Sequence, residues 1–323
     1  MAILTQATGV LLEQTLDATY PHWHDGLSRA AYGRWFTAQL ATPWGRRHLT
    51  RWALVEGEQL LAVAKLYDFS ATLDGRSIRV ASIGAVFTLP AYRGRGVATE
   101  LITRVVEKAT REGADLALLF SEIDPVFYLR LGFDPILLPE LSLRVVEDER
   151  HGAPATMVRA GDDRDLPDVV AMDAARSGPF RFHLRRDRDL AHYAIAKKRL
   201  LAGLAPAGAR ELRWFIAEEG ASAAAYVVIS VKDSAWTIES CGDRDPSGAR
   251  IGAILQGLVA RDPAEKRPAI RAWLPSTLRP PQLTVLSADA ATDVMMIRAL
   301  TDAVRLAPRI APEDVMYWKA DAV

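Results

Sequence analysis

Apolar positions in the first part of the chain change from helical spacing to strand spacing. Residues 9–16 and 27–40 carry apolar side chains at helical intervals, which predicts two helices. Residues 52–55, 60–69 and 78–88 form short apolar or alternating runs, which predict three strands. Only short turns separate these strands, and parallel neighbours need a long crossover, so the pattern predicts antiparallel pairing.

A helix and one further strand follow Pro90. Apolar residues from Val97 onward are spaced for one face of a helix, and Gly113 ends that pattern. Residues 114–120 are almost continuously apolar, which is typical of a strand buried on both faces. Because a helix connects this strand to the one before it, the two are expected to be parallel. The pattern therefore predicts an α/β (α+β) fold with a mixed, mostly antiparallel twisted sheet flanked by helices.

The same order of elements recurs in the second half with little residue identity. Residues 147–156 are polar, contain Gly and Pro, and are predicted to form a linker. After them the pattern predicts helices at 162–175 and 190–204, strands at 212–218, 223–231 and 236–241, a helix at 251–260, and strands at 269–274 and 294–297. A half-chain period indicates duplication, so we expect tandem domains at 1–146 and 157–323.

Composition and charge narrow the range of partners. The chain has 323 residues, 50% of them hydrophobic, and its 40 Lys and Arg balance 40 Asp and Glu, so no field of one sign extends over it. This balance argues against nucleic acid or a membrane as a partner. The start of the chain lacks the features of a signal peptide, and no apolar stretch reaches the ~20 residues that cross a bilayer. These features predict a soluble, cytoplasmic protein.

Glycines and arginines surround the predicted start of the helix after Pro90. The residues are Arg93, Gly94, Arg95, Gly96, Val97, Ala98 and Thr99. Glycine allows a tight turn, the first amides of a helix lack internal partners, and arginine suits phosphate oxygens, so the pattern predicts a phosphate-binding loop. A P-loop would need Gly-Lys followed by Ser or Thr, and a dinucleotide fingerprint would need a third glycine where Thr99 stands. Both of these alternatives are disfavoured.

Two motifs in this region resemble those of the GNAT superfamily of N-acetyltransferases. The superfamily's acetyl-CoA loop, Arg/Gln-x-x-Gly-x-Gly/Ala, is matched by Arg93, Gly96 and Ala98. Its Phe-Tyr-x-x-x-Gly-Phe segment is similar to residues 127–133, at the usual distance from the loop. The resemblance covers about residues 50–135 and implies a GNAT fold there.

The repeated order of elements also resembles a narrower family within this superfamily. Two GNAT-like units in one chain, with Ser121-Glu122 followed by Tyr128, resemble the Eis-type acetyltransferases. A weaker similarity to fungal lysine N-acetyltransferases lies at 44–55, 83–96 and Tyr317-Trp318. The resemblance implies an enzyme that transfers an acetyl group from acetyl-CoA to a primary amine of a small molecule or peptide by direct attack. The alternatives are another acyl-CoA donor, or a regulatory module that binds coenzyme A without turnover.

The resemblance also implies roles for individual residues. The backbone at Val86, Phe87 and Thr88 is expected to hold the pantetheine arm, and the amides of 94–99 to bind the pyrophosphate. Ser121 is expected to face the cofactor. Tyr128 is the expected proton donor to the departing thiolate, since a thiol leaves readily and a tyrosine hydroxyl can supply its proton at little cost.

The general base is less well marked in the sequence. Glu122 and Asp124 follow a strand, Asp68 lies in a neighbouring strand, and His22 and His24 lie in the first helical region. Glu122 is retained as the catalytic candidate, although an amine with a modestly lowered pKa could also lose its proton through water. The pair His22-x-His24 resembles two metal ligands, but no third ligand is near them in the sequence, so no metal is expected.

The loop at the equivalent position of the second half lacks the features that predict phosphate binding. Residues 242–250 contain Asp243 and Asp245, which would repel a pyrophosphate, and the glycine spacing is lost. The second copy is therefore expected to be non-catalytic. It could form a wall of the acceptor site, carry the contact of a homo-oligomer, or deliver the C-terminal segment 314–323 to the sheet.

Overall fold

The computed structural model describes residues 1–146, 157–261, 263, 267–305 and 309–323, apart from the side chains of 303 and 305. The predicted linker at 147–156 lies outside these residues. Contacts divide the chain into a first unit of Met1–Leu137, Thr292–Ile310 and Val323, and a second unit of Leu138–Ala291 and Ala311–Ala322. The expected division at 146 and 157 differs in two ways, because it places residues 138–146 in the first domain and does not include the return of residues 292–310 to the first unit.

The first unit is built on a single sheet. Its elements are β1 (Ile3–Gln6), α1 (Gly9–Trp23), α2 (Arg29–Ala41), α3 (Pro43–His48), β2 (Leu49–Glu56), β3 (Gln59–Leu73), β4 (Arg76–Thr88), α4 (Val97–Arg111), β5 (Leu116–Ser121), α5 (Val126–Leu129), β6 (Asp134–Ile136), β15 (Val294–Ala299) and α9 (Asp302–Arg305). The strand order is β1-β2-β3-β4-β5-β15-β6. Strands β2, β3 and β4 pair antiparallel, and β4 and β5 pair parallel, so the predicted mixed sheet is confirmed.

Helix α4 provides the crossover between the two parallel strands. Its apolar face is buried through Leu101, Ile102, Val105, Val106 and Ala109, as the spacing predicts. These side chains pack in one core cluster with apolar residues of β3 and β5. The opposite face is polar and carries i,i+4 ion pairs from Arg104 to Glu100 and from Lys108 to Glu112. Packing of this face of α4 fixes the position of its N-terminus beside the end of β4.

Strand β15 corrects one sequence prediction. The run at 294–297 was predicted as a strand of the second half, but β15 pairs antiparallel with β5 and with β6 in the first sheet. The apolar strand β5 thus gains a neighbour on each side, with β4 on one edge and β15 on the other. Apolar periodicity identifies a strand but does not identify its partner, which is why the sheet was assigned wrongly.

The second unit repeats the architecture. Its elements are β7 (Pro139–Val145), β8 (Met157–Ala160), α6 (Leu166–Ser177), β9 (Phe182–Leu184), α7 (Arg188–Leu204), β10 (Arg210–Glu219), β11 (Ser222–Lys232), β12 (Ala235–Asp243), α8 (Ala249–Val259), β13 (Ile270–Ala272), β14 (Leu283–Ala290) and β16 (Val315–Met316). The sheet order is β14-β7-β13-β12-β11-β10-β8, and β12 and β13 are parallel, with α8 between them in the chain. In the part of the chain that the structure describes, no helix is long and apolar enough to cross a membrane.

Candidate active site

The two parallel strands of the first sheet separate at their carboxyl ends. Their pairing begins at Val80 with Leu116 and ends at Ile83 with Leu119. Beyond that point β4 continues to Thr88 and β5 to Ser121 without further pairing between them. The edge of β4 that follows Ile83 is therefore available to another extended group, such as a ligand that adds alongside a strand.

A bulge in β4 marks the point of separation. Lys65 of β3 pairs with Gly84 and Val63 pairs with Phe87, so Ala85 and Val86 together oppose one residue of β3. Ala85 has φ of 48°, a left-handed conformation that costs a residue with a side chain ~1–2 kcal/mol. Such strain is common at functional sites, and here it redirects the strand edge beside the separated ends.

A cavity of about 220 Å³ lies at this opening. It is lined by Trp23, Asp25, Tyr32, Trp35, Lys65, Ile83, Gly84, Ala85, Val86, Phe120, Glu122, Ile123, Tyr128 and Val323. We call it the acceptor cleft. Val323 approaches β4 closely, because a Cβ added to Gly84 would lie only 3.1 Å from the Val323 carbonyl carbon. Glycine at position 84 permits this approach.

Tyr128 is buried in the wall of the acceptor cleft. Its ring packs edge-on against Phe127 and Phe133, with centroid distances of 4.9 and 6.1 Å. Burial, with a smaller contribution from the negative charge of Glu122, raises the pKa of the Tyr128 hydroxyl to about 12. The hydroxyl is consequently protonated at neutral pH and can donate a hydrogen bond or a proton, and the raised pKa makes it a weaker acid than a free tyrosine.

Ser121 and Glu122 differ in exposure although they are adjacent. Ser121 is buried, and its hydroxyl donates a hydrogen bond of 2.8 Å to the Ile123 carbonyl. Glu122 is exposed and lines the acceptor cleft together with Tyr128. The Ser121 hydroxyl thus holds the turn after β5, whereas the Glu122 carboxylate can reach a molecule in the cleft.

The glycine loop forms a second recess at the start of α4. Gly94 and Gly96 have φ of 73° and 76°, and Gly96 caps the helix without any side-chain hydrogen bond to its first turn. Within the described structure, the backbone amides of residues 94–99 donate no hydrogen bond to other protein atoms. Amides of this kind at a helix N-terminus bind phosphate oxygens.

This second recess, which we call the loop recess, has a volume of about 440 Å³. It is lined by Thr88, Tyr92, Arg93, Gly94, Gly96, Val97, Ala98, Thr99, Phe127, Arg130 and Leu131. Helix α5 contributes to both cavities, because Phe127 lines the loop recess and the adjacent Tyr128 lines the acceptor cleft. Strand β4 does the same through Thr88 and Val86. A ligand bound by the loop can therefore follow β4 toward Tyr128.

Each of the three arginines around the loop has different neighbours in the first unit. The Nε of Arg93 donates a hydrogen bond of 3.1 Å to the Thr88 carbonyl, and its guanidinium lies 5.3 Å from the Phe87 ring centroid. Arg93 thus braces the end of β4 against the loop. Arg95 lies 6.0 Å from the Tyr92 ring, and Arg130 is exposed on the wall of the loop recess. The Phe87 side chain is directed into a cluster with His22 and Trp23, so only its backbone remains for a cofactor.

The other candidate bases are engaged in local structure. Asp124 accepts a hydrogen bond of 2.9 Å from the Val126 amide, and Asp68 forms an ion pair of 3.0 Å with Arg79. His24 Nδ1 accepts a hydrogen bond of 3.0 Å from the Gly26 amide, and the His22 ring lies 4.7 Å from that of Phe87. None of these four residues is among those that line the acceptor cleft. Glu122 is the sequence-predicted base that does line it.

A known protein family matches the part of the chain that forms the separated strands, the bulge and the loop at the start of α4. Residues 27–136 match the family model of an acetyltransferase (GNAT) domain. The chain carries a GNAT acetyltransferase domain. This match confirms the predicted family and an enzyme of the GNAT type at the level of the domain. No curated protein shows a significant match to the chain.

Solved structures support the GNAT fold over most of the chain. A probable N-acyltransferase from Enterococcus faecalis V583 shares 14% identity, with a TM-score of 0.66 over 93% of this chain and 73% of that chain. A GCN5-related N-acetyltransferase from Kribbella flavida shares 20% identity, with a TM-score of 0.66 over 93% and 71%. Eis1 from Mycobacterium abscessus shares 16% identity, with a TM-score of 0.54 over 93% and 74%. The predicted GNAT fold and its Eis-like tandem arrangement are confirmed.

Several residues that line the two cavities were not identified as site residues from the sequence, and the charged or terminal ones among them and one tryptophan are the most informative. They are Asp25, Trp35, Lys65, Arg130 and Val323. Lys65 could have been singled out from the sequence, because a lysine inside an apolar strand is unusual unless it has a specific partner or function. The others lie in segments without a motif, and the tertiary fold brings them to the site.

In the second unit, side chains of the protein already bind the first backbone amides of the corresponding helix, α8. The Asp243 carboxylate accepts hydrogen bonds of 2.8 Å from the amides of Asp245 and Arg250, and the Ser247 hydroxyl accepts one of 3.3 Å from the Ala249 amide. A Cβ on Gly248 would lie 2.8 Å from a Leu278 methyl carbon, so the loop is also covered. Side chains of the protein itself thus occupy the positions that a phosphate would need.

Proposed function

We propose that this GNAT domain transfers the acetyl group of acetyl-CoA to a primary amine of a small molecule or peptide. The observation that carries the proposal is the pairing of two cavities along β4 and α5. The loop recess presents unpaired amides at the start of a helix, and the acceptor cleft contains a buried, protonated tyrosine.

The donor would be held mainly by backbone groups. The pyrophosphate would accept hydrogen bonds from the amides of 94–99, and the arginines Arg95 and Arg130 would add positive charge at the rim. The pantetheine arm would lie along the free edge of β4 at Val86 and Thr88. This arrangement would bring the thioester to the side of Tyr128 that faces the cleft.

The acetyl transfer would proceed by direct attack of the amine. The acceptor ammonium first loses a proton to the exposed Glu122 carboxylate, directly or through water. The neutral amine then attacks the thioester carbonyl carbon, a C–N bond forms, and the C–S bond breaks. The departing thiolate receives its proton from the Tyr128 hydroxyl, which is restored from the proton released by the amine or from solvent.

A kinetic assay separates this proposal from a module that only binds coenzyme A. Release of free thiol from acetyl-CoA should depend on added amine, and the amine should gain one acetyl group by mass spectrometry. Comparison of acetyl-CoA with longer acyl-CoA donors tests the donor. If a longer acyl chain gives a higher kcat/KM than acetyl-CoA, the enzyme is an acyltransferase of a different donor class.

We expect each chain to bind one acetyl-CoA. The amides of 94–99 are open, whereas Asp243 and Ser247 already accept hydrogen bonds from the first amides of α8. Titration calorimetry should therefore give a stoichiometry near one per chain. Two equivalent sites per chain would contradict the proposal that the second unit is non-catalytic.

A further inference from the structure

Aromatic side chains form much of the wall of the acceptor cleft. Five of the 14 residues that line it are aromatic, although Phe, Trp and Tyr make up only 8% of the chain. These five are Trp23, Tyr32, Trp35, Phe120 and Tyr128. Apolar and aromatic linings bind the apolar body of a ligand, while a few polar groups fix its orientation. The composition of the wall therefore indicates an acceptor with an apolar body.

Contacts within the first unit hold three of these rings in place. The Tyr32 and Trp35 ring centroids lie 6.2 Å apart, and the Tyr32 hydroxyl shares a hydrogen bond of 3.1 Å with that of Thr19. Trp23 packs edge-on against Phe87, with a centroid distance of 6.0 Å. Rings that their neighbours hold in this way lose little freedom when a ligand packs against them. The cleft thus presents ordered, flat apolar surfaces.

Ile123 adds an exposed aliphatic surface to the same wall. It is 57% exposed, follows β5, and lines the acceptor cleft. A large apolar side chain that stays in contact with water at a cavity is stabilised when a ligand covers it. Because Ile123 follows Glu122 directly, one turn provides both an apolar surface and a carboxylate.

Glu122 is the carboxylate that can meet the amine of an acceptor. The charged side chains that line the cleft are Asp25, Lys65 and Glu122. Asp25 and Lys65 already interact with other groups of the chain, whereas Glu122 is exposed and can reach a molecule in the cleft. A single carboxylate suits an acceptor with one ammonium group, because each further ammonium group that enters the cleft would lose its hydration without a counter-charge.

The volume of the acceptor cleft sets a similar limit. About 220 Å³ of space remains with Val323 and all the other lining residues in place. An apolar cavity of ~150 Å³ is large enough to hold benzene. The cleft therefore has room for one aromatic ring and a short chain that carries the amine. An aminoglycoside, with several rings and several ammonium groups, exceeds both the volume and the available negative charge.

We infer that the preferred acceptors are arylalkylamines, which combine one primary amine with one aromatic ring, and that Trp23 and Ile123 are specificity-determining residues. The ring packs against the part of the wall that contains Trp23 and Ile123, and the amine lies toward Glu122 and Tyr128. Neither Trp23 nor Ile123 takes part in bond making or proton transfer. This inference rests on the proposed acetyltransferase function and names the acceptor class of the same site.

A set of monoamines tests the acceptor class. Phenethylamine is compared with n-propylamine, which lacks the ring, and with n-hexylamine, which has an aliphatic chain in its place. With kcat/KM expressed per concentration of neutral amine, phenethylamine should exceed n-propylamine by about 10- to 100-fold, the range for burial of one aromatic side chain. It should exceed n-hexylamine by about 2- to 10-fold, because aromatic pairs are stabilised beyond the effect of the area that they bury.

Ile123→Asn and Ile3→Asn form a matched pair of variants. The two isoleucines are 57% and 61% exposed, but Ile3 lies in β1, outside the acceptor cleft. Ile123→Asn should lower kcat/KM for phenethylamine by about 3- to 10-fold through a higher KM, since a polar group replaces an apolar contact. Its kcat/KM for n-propylamine should change little. Ile3→Asn should leave the values for both amines unchanged.

Trp23→Leu tests the aromatic part of the wall. It keeps an apolar side chain but removes the ring, so the preference for phenethylamine over n-hexylamine should disappear. Because Trp23 also packs against Phe87, unaltered circular dichroism and unaltered acetyl-CoA affinity are needed to show that the variant is folded. If Trp23→Leu does not fold, the exposed Ile123 still provides the test.

The other outcomes overturn the inference. Equal efficiency with phenethylamine and n-propylamine, or a higher efficiency with putrescine or an aminoglycoside, would show that the cleft does not select an aromatic ring. Equal efficiency with n-hexylamine would show that it selects apolar area alone. An unchanged KM for phenethylamine in Ile123→Asn and in folded Trp23→Leu would show that the ring does not bind at this wall. In each of these cases amines are still acetylated, so the proposed function stands. Acetylation of no amine at all would overturn the proposed function and this inference with it.

Discussion

We expect Gly96→Glu to bind acetyl-CoA at least about 100-fold more weakly than the wild-type protein. The new carboxylate would stand among the open amides at the start of α4, where it would accept their hydrogen bonds and repel the pyrophosphate. Repulsion between two unit charges ~4 Å apart near a protein surface is about 4 kcal/mol, which corresponds to a loss of this size or more. In the second unit, Asp243 already occupies the equivalent amides in this way.

Gly75→Glu provides a matched control for the backbone. Gly75 and Gly96 both have φ of 76°, and a Cβ on either residue would have no atom within 4 Å. Both substitutions therefore carry the same left-handed strain, ~1–2 kcal/mol, without a steric clash. Gly75 lies in the turn between β3 and β4, outside the loop recess. Calorimetry should show normal affinity for Gly75→Glu. Equal affinity of the two variants would mean that the loop does not bind the pyrophosphate.

The second large effect, a fall in kcat, is expected for Tyr128→Phe. This substitution keeps the packing against Phe127 and Phe133 and removes the proposed proton donor. General acid catalysis is worth about 10²–10⁴-fold, and because a thiolate is a tolerable leaving group, we expect kcat to fall by about 10²-fold. The affinity for acetyl-CoA should be nearly unchanged, since in the proposed arrangement backbone groups hold the cofactor.

Tyr20→Phe is the control for loss of a tyrosine hydroxyl. The Tyr20 hydroxyl donates a hydrogen bond of 3.2 Å to the Leu27 carbonyl and lies outside both cavities. Single-turnover rates should be normal for Tyr20→Phe and reduced for Tyr128→Phe. A wild-type rate for Tyr128→Phe, measured where chemistry limits turnover, would show that Tyr128 only packs the cleft wall.

The pH dependence of kcat gives independent information on Tyr128. Because burial raises its pKa to about 12, the hydroxyl stays protonated while an acceptor amine with a pKa of about 10 becomes neutral. The rate should therefore rise with pH and show no falling limb below about pH 11, as long as the protein remains folded. A falling limb near pH 9 in a folded protein would contradict the assignment of Tyr128 as the acid.

Local sequence patterns predicted the elements that build the glycine loop at the start of α4. Pro90, the two glycines and the apolar face of α4 are all within one short stretch, so their geometry depends on neighbours in the chain. The turn that places Tyr128 is equally local, since Gly132, with φ of 78°, lies in the turn that follows α5, and the Phe133 amide donates a hydrogen bond to the Tyr128 carbonyl. These features could be identified without knowledge of the tertiary fold.

The acceptor side of the site depends on contacts between distant parts of the chain. Lys65 comes from β3, Asp25 and Trp35 come from the region of the first two helices, and Val323 is the last residue of the sequence. No spacing rule relates these positions. The partner of β5 was missed for the same reason, because β15 lies far along the chain and its apolar pattern would fit either sheet.

Release of coenzyme A from acetyl-CoA, measured against a panel of amino acids, polyamines, aminoglycosides and peptides, tests the central claim most directly. The account predicts release that requires an amine, a product that has gained one acetyl group on nitrogen, and loss of both signals in Gly96→Glu. Tight binding of acetyl-CoA without release in the presence of any of these amines would contradict it and would favour a regulatory module that binds the coenzyme without turnover.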